Sequence, residues 1–211
     1  GPLPLNNPNG IRWSTAIGYL GLSRHRLNLT IRPEVVVKKI IFDTSDHEPK
    51  ATGVEVVSGD ETFILEGEEI ILSAGAVVFP QILMLSGIGP RDHLSSHGIE
   101  IIHDVPAVGQ NLADHPMVYV TWKTKPGVKL DFLGPRIQLT LRYTAEGSNL
   151  ENDMIVYMMA VASDRPERGG LRNNPVGIQT NLCINLAKGK GEVKLNSDDY
   201  RDQPYLDYNY L

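Results

Sequence analysis

His93 and His97 stand four residues apart, so a helix would carry both imidazoles on one face, the spacing of a helical zinc pair. The zinc-protease pattern also needs a glutamate directly after the first histidine, and Leu94 occupies that place. A solvated helix face is the plainer expectation. Asp114 and His115 are neighbours, and a carboxylate beside an imidazole can orient the ring for acid–base work. In a loop such a pair more often serves structure. Neither Ser73 nor Ser86 sits in a Gly-x-Ser-x-Gly elbow, so a serine hydrolase would lack its nucleophile. Asp198, Asp199, Asp202 and Asp207 miss the calcium-loop spacing and are expected in a solvated stretch.

Glycines raise a second kind of chemistry. A phosphate cradle needs them where backbone amides open a helix. Gly87-Ile88-Gly89 is the best pair, but it follows a predicted helix, and the third position is Asp92. The 211 residues therefore hold no complete dinucleotide fingerprint. More informative is the run from Leu72 into Ser73-Ala74-Gly75-Ala76. Small residues there allow either close approach of the backbone to a ligand or close helix–strand packing.

The elements that must position these residues change character along the chain. Residues 1–10 are rich in Pro, Asn and Gly and form a loop. Ser14 to Leu22 predicts a short helix capped by Ser14. Leu29 to Phe42 predicts a strand interrupted at Pro33. Gly53 to Val57 and Thr62 to Glu66 add two strands joined by Ser58-Gly59-Asp60, completing an antiparallel meander.

Ile70 to Leu72 is apolar without alternation, as in a strand covered on both faces. Pro80 then suits a helix's first turn, and Gly87 suits the residue after its end. A second helix is predicted from Asp92 to His97, stopping at Gly98, and a strand from Ile99 to Val105. Residues 106–116 form a loop. Beyond it come a strand from Met117 to Trp122, a helix from Arg136 to Glu146 after Pro135, and a strand from Met154 to Val161. Ile178, Thr180, Leu182 and Ile184 alternate with Gln179, Asn181, Cys183 and Asn185, predicting a sheet with one wet face. Gly189-Lys190-Gly191 predicts a hairpin turn into Val193 to Leu195. There is no internal repeat. The texture changes near Pro116, the expected domain boundary.

Composition narrows the classes. Hydrophobic residues make up 41% and charged residues 21%, with a net charge of −5. No basic run accompanies that charge, which argues against nucleic acid as a partner. One cysteine, Cys183, excludes an internal disulfide and any multi-cysteine metal site. No stretch approaches the ~18 apolar residues of a membrane span. The N-terminus lacks the basic start and apolar run of a signal peptide. A cytoplasmic setting is expected.

Three stretches together resemble the glucose–methanol–choline family of flavin oxidoreductases, particularly its choline-dehydrogenase-like branch. They are "LNLTIRPEVVVKKIIFD" with "ATGVEVV", then "EEIILSAGAVVFPQILMLSGIGP", then "VPAVGQNLADHP". The resemblance is strongest from Leu27 to Met117. It implies an internal piece of a longer enzyme, whose glycine-rich phosphate loop lies upstream and whose catalytic histidine lies downstream. The implied fold class is α+β, a mixed α/β arrangement. Residues 1–116, including an N-terminal loop 1–26, would be the later part of an FAD-binding domain with its antiparallel meander. Residues 117–211 would be the first part of an antiparallel-sheet substrate domain.

The resemblance places Val37 at the adenine of FAD, and Ser73, Ala74 and Gly75 at the strand end beside its ADP portion. Asn111 and Asp114 fall in the loop near the flavin, with His115 nearest the substrate chemistry in a supporting role and no principal catalytic base in this chain. Met117 stands where choline-oxidising members carry an acid, so a neutral alcohol is the expected substrate. Phe79 replaces a small hydroxyl residue before Pro80. The implied reaction is hydride transfer from an alcohol to FAD, with the chain alone inactive and its sheet edges prone to self-association. Its partners would be the small-molecule alcohol and the rest of its own polypeptide. A non-catalytic β-rich binding module is the alternative.

Overall fold

The computed structural model describes residues 1–2, 4–130, 136–163 and 175–210. In chain order, a wide helical turn at Ala16–Leu20 continued by Gly21–Ser23 forms α1. Strands β1 (Val36–Asp43), β2 (Lys50–Ser58) and β3 (Glu61–Glu66) follow. Helix α2 (Gly75–Leu85), β4 (Ile88–Gly89), α3 (Arg91–Ser96), β5 (His103–Asp104) and β6 (Gln110–Leu112) come next. Then come β7 (Met117–Lys123), β8 (Ile137–Tyr143), β9 (Met154–Ser163) and β10 (Pro175–Ile184). The chain closes with β11 (Gly191–Lys194) and β12 (Tyr205–Asp207). The mixed α/β class, with mostly antiparallel sheets, is as expected.

Two compact units divide the chain, Ile31–Asp114 with Lys188–Leu211 and Gly1–Thr30 with His115–Ala187. The expected division at Pro116 was contiguous; this one is not. The chain passes from one unit to the other between Asp114 and His115, and residues 188–211 return to the first unit. Gly189-Lys190-Gly191 therefore does not turn a hairpin. The segment after it, β11, pairs with β12 and with β6.

In the unit of residues 31–114 and 188–211, β1, β2 and β3 form the antiparallel meander. Gly59, at φ +58°, turns β2 into β3 as the sequence predicted. β1 begins at Val36 rather than Leu29, because Pro33 and the left-handed Glu34 (φ +56°) end the ladder. α2 is tied to β1 through Ser86, whose Oγ accepts from the Ile40 N–H at 2.8 Å and donates to the Ile82 carbonyl at 2.6 Å. That buried hydroxyl is fully used in structure.

α2 starts at Gly75, so Pro80 lies in its interior rather than its first turn. Gly87, at φ +84°, ends the helix as expected, and a Cβ there would meet the Glu100 carbonyl oxygen at 2.4 Å. Met84, Leu94, Val193 and Leu195 form the buried centre, with Val108, Leu112 and Leu206 packed around it.

Two predicted strands of this unit are mostly absent. Ile70 to Leu72 joins no ladder among the described residues, and Ile71 is 78% exposed. Ile99 to Val105 contributes only the two-residue β5, parallel to β4. Apolar runs of this kind need partners on both sides to become strands.

The other unit is a four-stranded antiparallel sheet in the order β7-β10-β9-β8. Residues 136–146, predicted as a helix, instead carry β8. Ile137, Leu139, Leu141 and Tyr143 alternate with polar residues, and pairing with β9 decides the matter. Pro135, expected to precede that helix, lies outside the described residues.

The alternation in β10 predicts one wet face without saying which, and the structure makes the row of Asn181 and Cys183 the buried one. Asn181 is 1% exposed and Cys183 is buried, while Val118, at 66%, and Trp122, at 55%, lie open with Leu141 and Met158 on the apolar face. Asn181 stands in register between Tyr119 of β7 and Tyr157 of β9, its cross-strand neighbours. Gln179 Nε2 donates to Asn181 Oδ1 at 2.5 Å, and Asn181 Nδ2 has no hydrogen-bond partner among the described residues.

Candidate functional site

The small-residue turn is bare. Ser73, Ala74, Gly75 and Ala76 are exposed, and Gly75 adopts φ +83° with no atom within 4 Å of where a Cβ would stand. The backbone here can be approached closely, which a side chain at Gly75 would prevent. α2 opens at this turn without an acidic residue in its first turn and without a side-chain cap. As at any helix start, its first N–H groups have no partner within the helix.

Beside it lies a groove of about 510 Å³, within the range of small-molecule sites. Ala76, Phe79, Pro80 and Leu83 of α2 form one wall, residues 107–113 the other, and Val193 reaches its lining. The loop is shaped by two left-handed residues, Gly109 at φ +82° and Asn111 at φ +62°. Gly109 cannot be another residue without movement: a Cβ would sit 2.2 Å from the Val193 carbonyl oxygen. The Gly109 carbonyl accepts from the Val193 N–H at 2.7 Å, fixing the loop to β11. Asn111, one of the predicted site residues, thus lines the groove and is exposed.

The remaining predicted residues have other settings. Val37 lies in β1 opposite Val56 and is half-buried. Asp114 is exposed, and its Oδ2 accepts from the Tyr210 hydroxyl at 2.8 Å. That bond, followed by burial, pushes the Tyr210 phenol up to about 12. The carboxylate is thus engaged with the segment after β12, a partner sequence reasoning missed. His115 is exposed and begins the stretch that leads into β7. Met117 is half-exposed, and its Sδ accepts from the Tyr157 hydroxyl at 3.2 Å. Nothing in the sequence pointed to Tyr157, because the contact depends on the register of β7, β10 and β9.

The histidine pair is structural rather than solvated. His93 Nε2 accepts from the Leu195 N–H at 3.0 Å, and the two rings meet edge to face at 4.8 Å. Burial first, then the charges of His97 and Lys194, holds the His93 imidazole below its ordinary proton affinity. No group of three or more His, Cys, Asp or Glu side chains able to hold a metal ion occurs among the described residues.

The exposed glycine turn opens α2, and Ala76 next to it begins one wall of the groove whose other wall is residues 107–113. The family model for GMC oxidoreductase matches residues 1–117. The chain belongs to the GMC oxidoreductase family. Among curated GMC relatives, an oxygen-dependent choline dehydrogenase of Photobacterium profundum is 31% identical across the whole chain and is itself covered over 40% of its length. Pyridoxine 4-oxidase from Mesorbium loti shares the fold at a TM-score of 0.79 and 24% identity, over all of this chain and 41% of that one. A formate oxidase of Aspergillus oryzae, studied for modification of its FAD, gives a TM-score of 0.71 at 25% identity, over 89% of this chain and 41% of its own. The chain thus spans about 40% of the length of the curated GMC relatives it matches.

Proposed function

We propose that this chain is part of an FAD-dependent alcohol oxidoreductase that transfers hydride from a neutral alcohol to the flavin. The observation that carries the reading is the open backbone at Gly75 beside the groove formed by α2 and residues 107–113. Those features fit a dinucleotide cofactor. Small side chains at Ser73, Ala74 and Gly75 leave room for its ADP portion, with Val37 at the adenine, and Asn111 and Asp114 belong to the loop that holds the flavin. Bound FAD would supply the hydride acceptor.

The chain's own residues would bind, orient and exclude water. Gly109 sets the loop's path, and Tyr210 holds Asp114 in place. His115 would favour negative charge on an alkoxide nearby, in support of a base elsewhere in the polypeptide. Met117 brings no charge to the substrate, and its sulfur is engaged by Tyr157. A quaternary ammonium needs an anion or an aromatic cage, so a neutral alcohol suits this position better. Residues 31–116 would belong to the cofactor domain and residues from 117 to the start of the return segment to the substrate domain.

The test uses the full-length polypeptide. It should purify with one FAD per chain, and its visible flavin absorption should bleach when an alcohol is added without oxygen. Choline should be oxidised more slowly than its uncharged analogue in which carbon replaces nitrogen. Protein that releases no flavin on denaturation would overturn the cofactor assignment, and preference for choline would overturn the substrate class.

A further inference from the structure

We propose that Phe79 is a binding contact for the flavin ring, an apolar wall that keeps water from it. The inference rests on the reading of the groove as a flavin site. Phe79 lies in the first half of α2, directly before Pro80, and is 39% exposed. A large aromatic side chain left this open on a helix with a buried face has contact area to offer. It lines the groove together with Ala76, Pro80 and Leu83, opposite the backbone of residues 107–113. No acidic, basic or histidine side chain lines that groove, so its recognition of a ligand is by shape and apolar contact, with Gln110 and Asn111 as the polar side chains.

A flat, largely apolar ring system is the ligand chemistry that such a wall favours. The sequence resemblance expects a small hydroxyl at this position, which would offer one hydrogen bond and little area. Phe79 replaces that polar contact by ring surface. The consequence is specific: the side chain should stabilise bound cofactor more than it stabilises the folded chain, because its ring is half open until the groove is filled.

Phe79→Ser and Phe79→Leu should be made in the full-length protein and stripped of flavin. FAD is then titrated back, with affinity and the shape of the visible flavin band as readouts. Phe79→Ser should bind FAD about tenfold more weakly. Its visible band should lose the resolved shoulder of a flavin in apolar surroundings. Phe79→Leu keeps apolar bulk and should lie between the two in both measurements. The flavin-free variants should melt close to the flavin-free parent.

Unchanged affinity and band shape in Phe79→Ser, or tighter binding, would overturn the proposal. So would an affinity loss matched by an equal loss of flavin-free stability, which marks a packing residue. Should Phe79→Ser fail to fold, Phe79→Leu carries the test, and wild-type affinity with a wild-type band then overturns it. Parent protein that binds no FAD sinks the cofactor reading itself, whereas parent that binds FAD indifferently to residue 79 sinks only this proposal.

Discussion

His93 is the residue where protonation and structure are most directly opposed. Its Nε2 accepts the Leu195 N–H, which only the neutral ring can do. Its proton affinity is lowered in the folded chain, so the unfolded chain binds this proton at a higher pH. Its contribution to stability is therefore full above the ordinary value of 6.5 and is lost as pH falls from there through the lowered value of the folded state. Urea midpoints should fall from pH 7 to about pH 5, and His93→Gln, whose amide oxygen accepts at any pH, should show a shallower fall. A variant with the parent's slope would assign the effect to other groups.

Tyr210 gives a second test at the same scale. In an ultraviolet titration this phenol should ionise near 12, and Asp114→Asn should bring it back toward the ordinary 10. Both contacts join residues about a hundred positions apart, and neither His-x-x-x-His nor Asp-His adjacency announces them.

Between residue and molecule, backbone conformation and register decide the outcome. Gly109 holds the groove's loop against β11, and Gly109→Ala places a Cβ into the Val193 carbonyl at a left-handed position. The cost should reach about 3 kcal/mol in urea denaturation. FAD affinity should fall with it. In β10, Asn181 shows the reverse case. An amide buried with its Nδ2 lacking a partner among the described residues contributes little, so Asn181→Leu should cost less than about 1 kcal/mol. The alternation in β10 was legible, but which side faces inward was not. Tyr119 and Tyr157 stand beside Asn181 only because β7 and β9 each pair with β10 in this register. For the same reason residues 136–146 could pass for a helix until β9 lay beside them.

At the scale of the whole molecule, the open surfaces matter most. Ile71 joins no ladder among the described residues, and the four-stranded sheet leaves Val118, Trp122, Leu141 and Met158 exposed on one face. A patch of that kind marks an interaction surface. The 211-residue chain made by itself should therefore associate with concentration, as measured by light scattering. It should also purify colourless and oxidise no alcohol, since no glycine-rich phosphate loop occurs in its sequence. A compact monomer at every concentration, or one carrying stoichiometric flavin, would contradict this.

The sequence by itself determined the family, the meander, the helix ends at Gly87 and Gly98, and the small-residue turn at Ser73–Ala76. These depend on local rules: glycine where φ must be positive, β-rich runs around a two-residue turn, and motif order along the chain. Only the tertiary structure decided that residues 188–211 return to the first unit, that β8 is a strand, that Asn181 lies inward and that Tyr210 holds Asp114. Each of those depends on which distant segment supplies a partner. Periodicity describes the two faces of an element, but only packing assigns one of them to the interior.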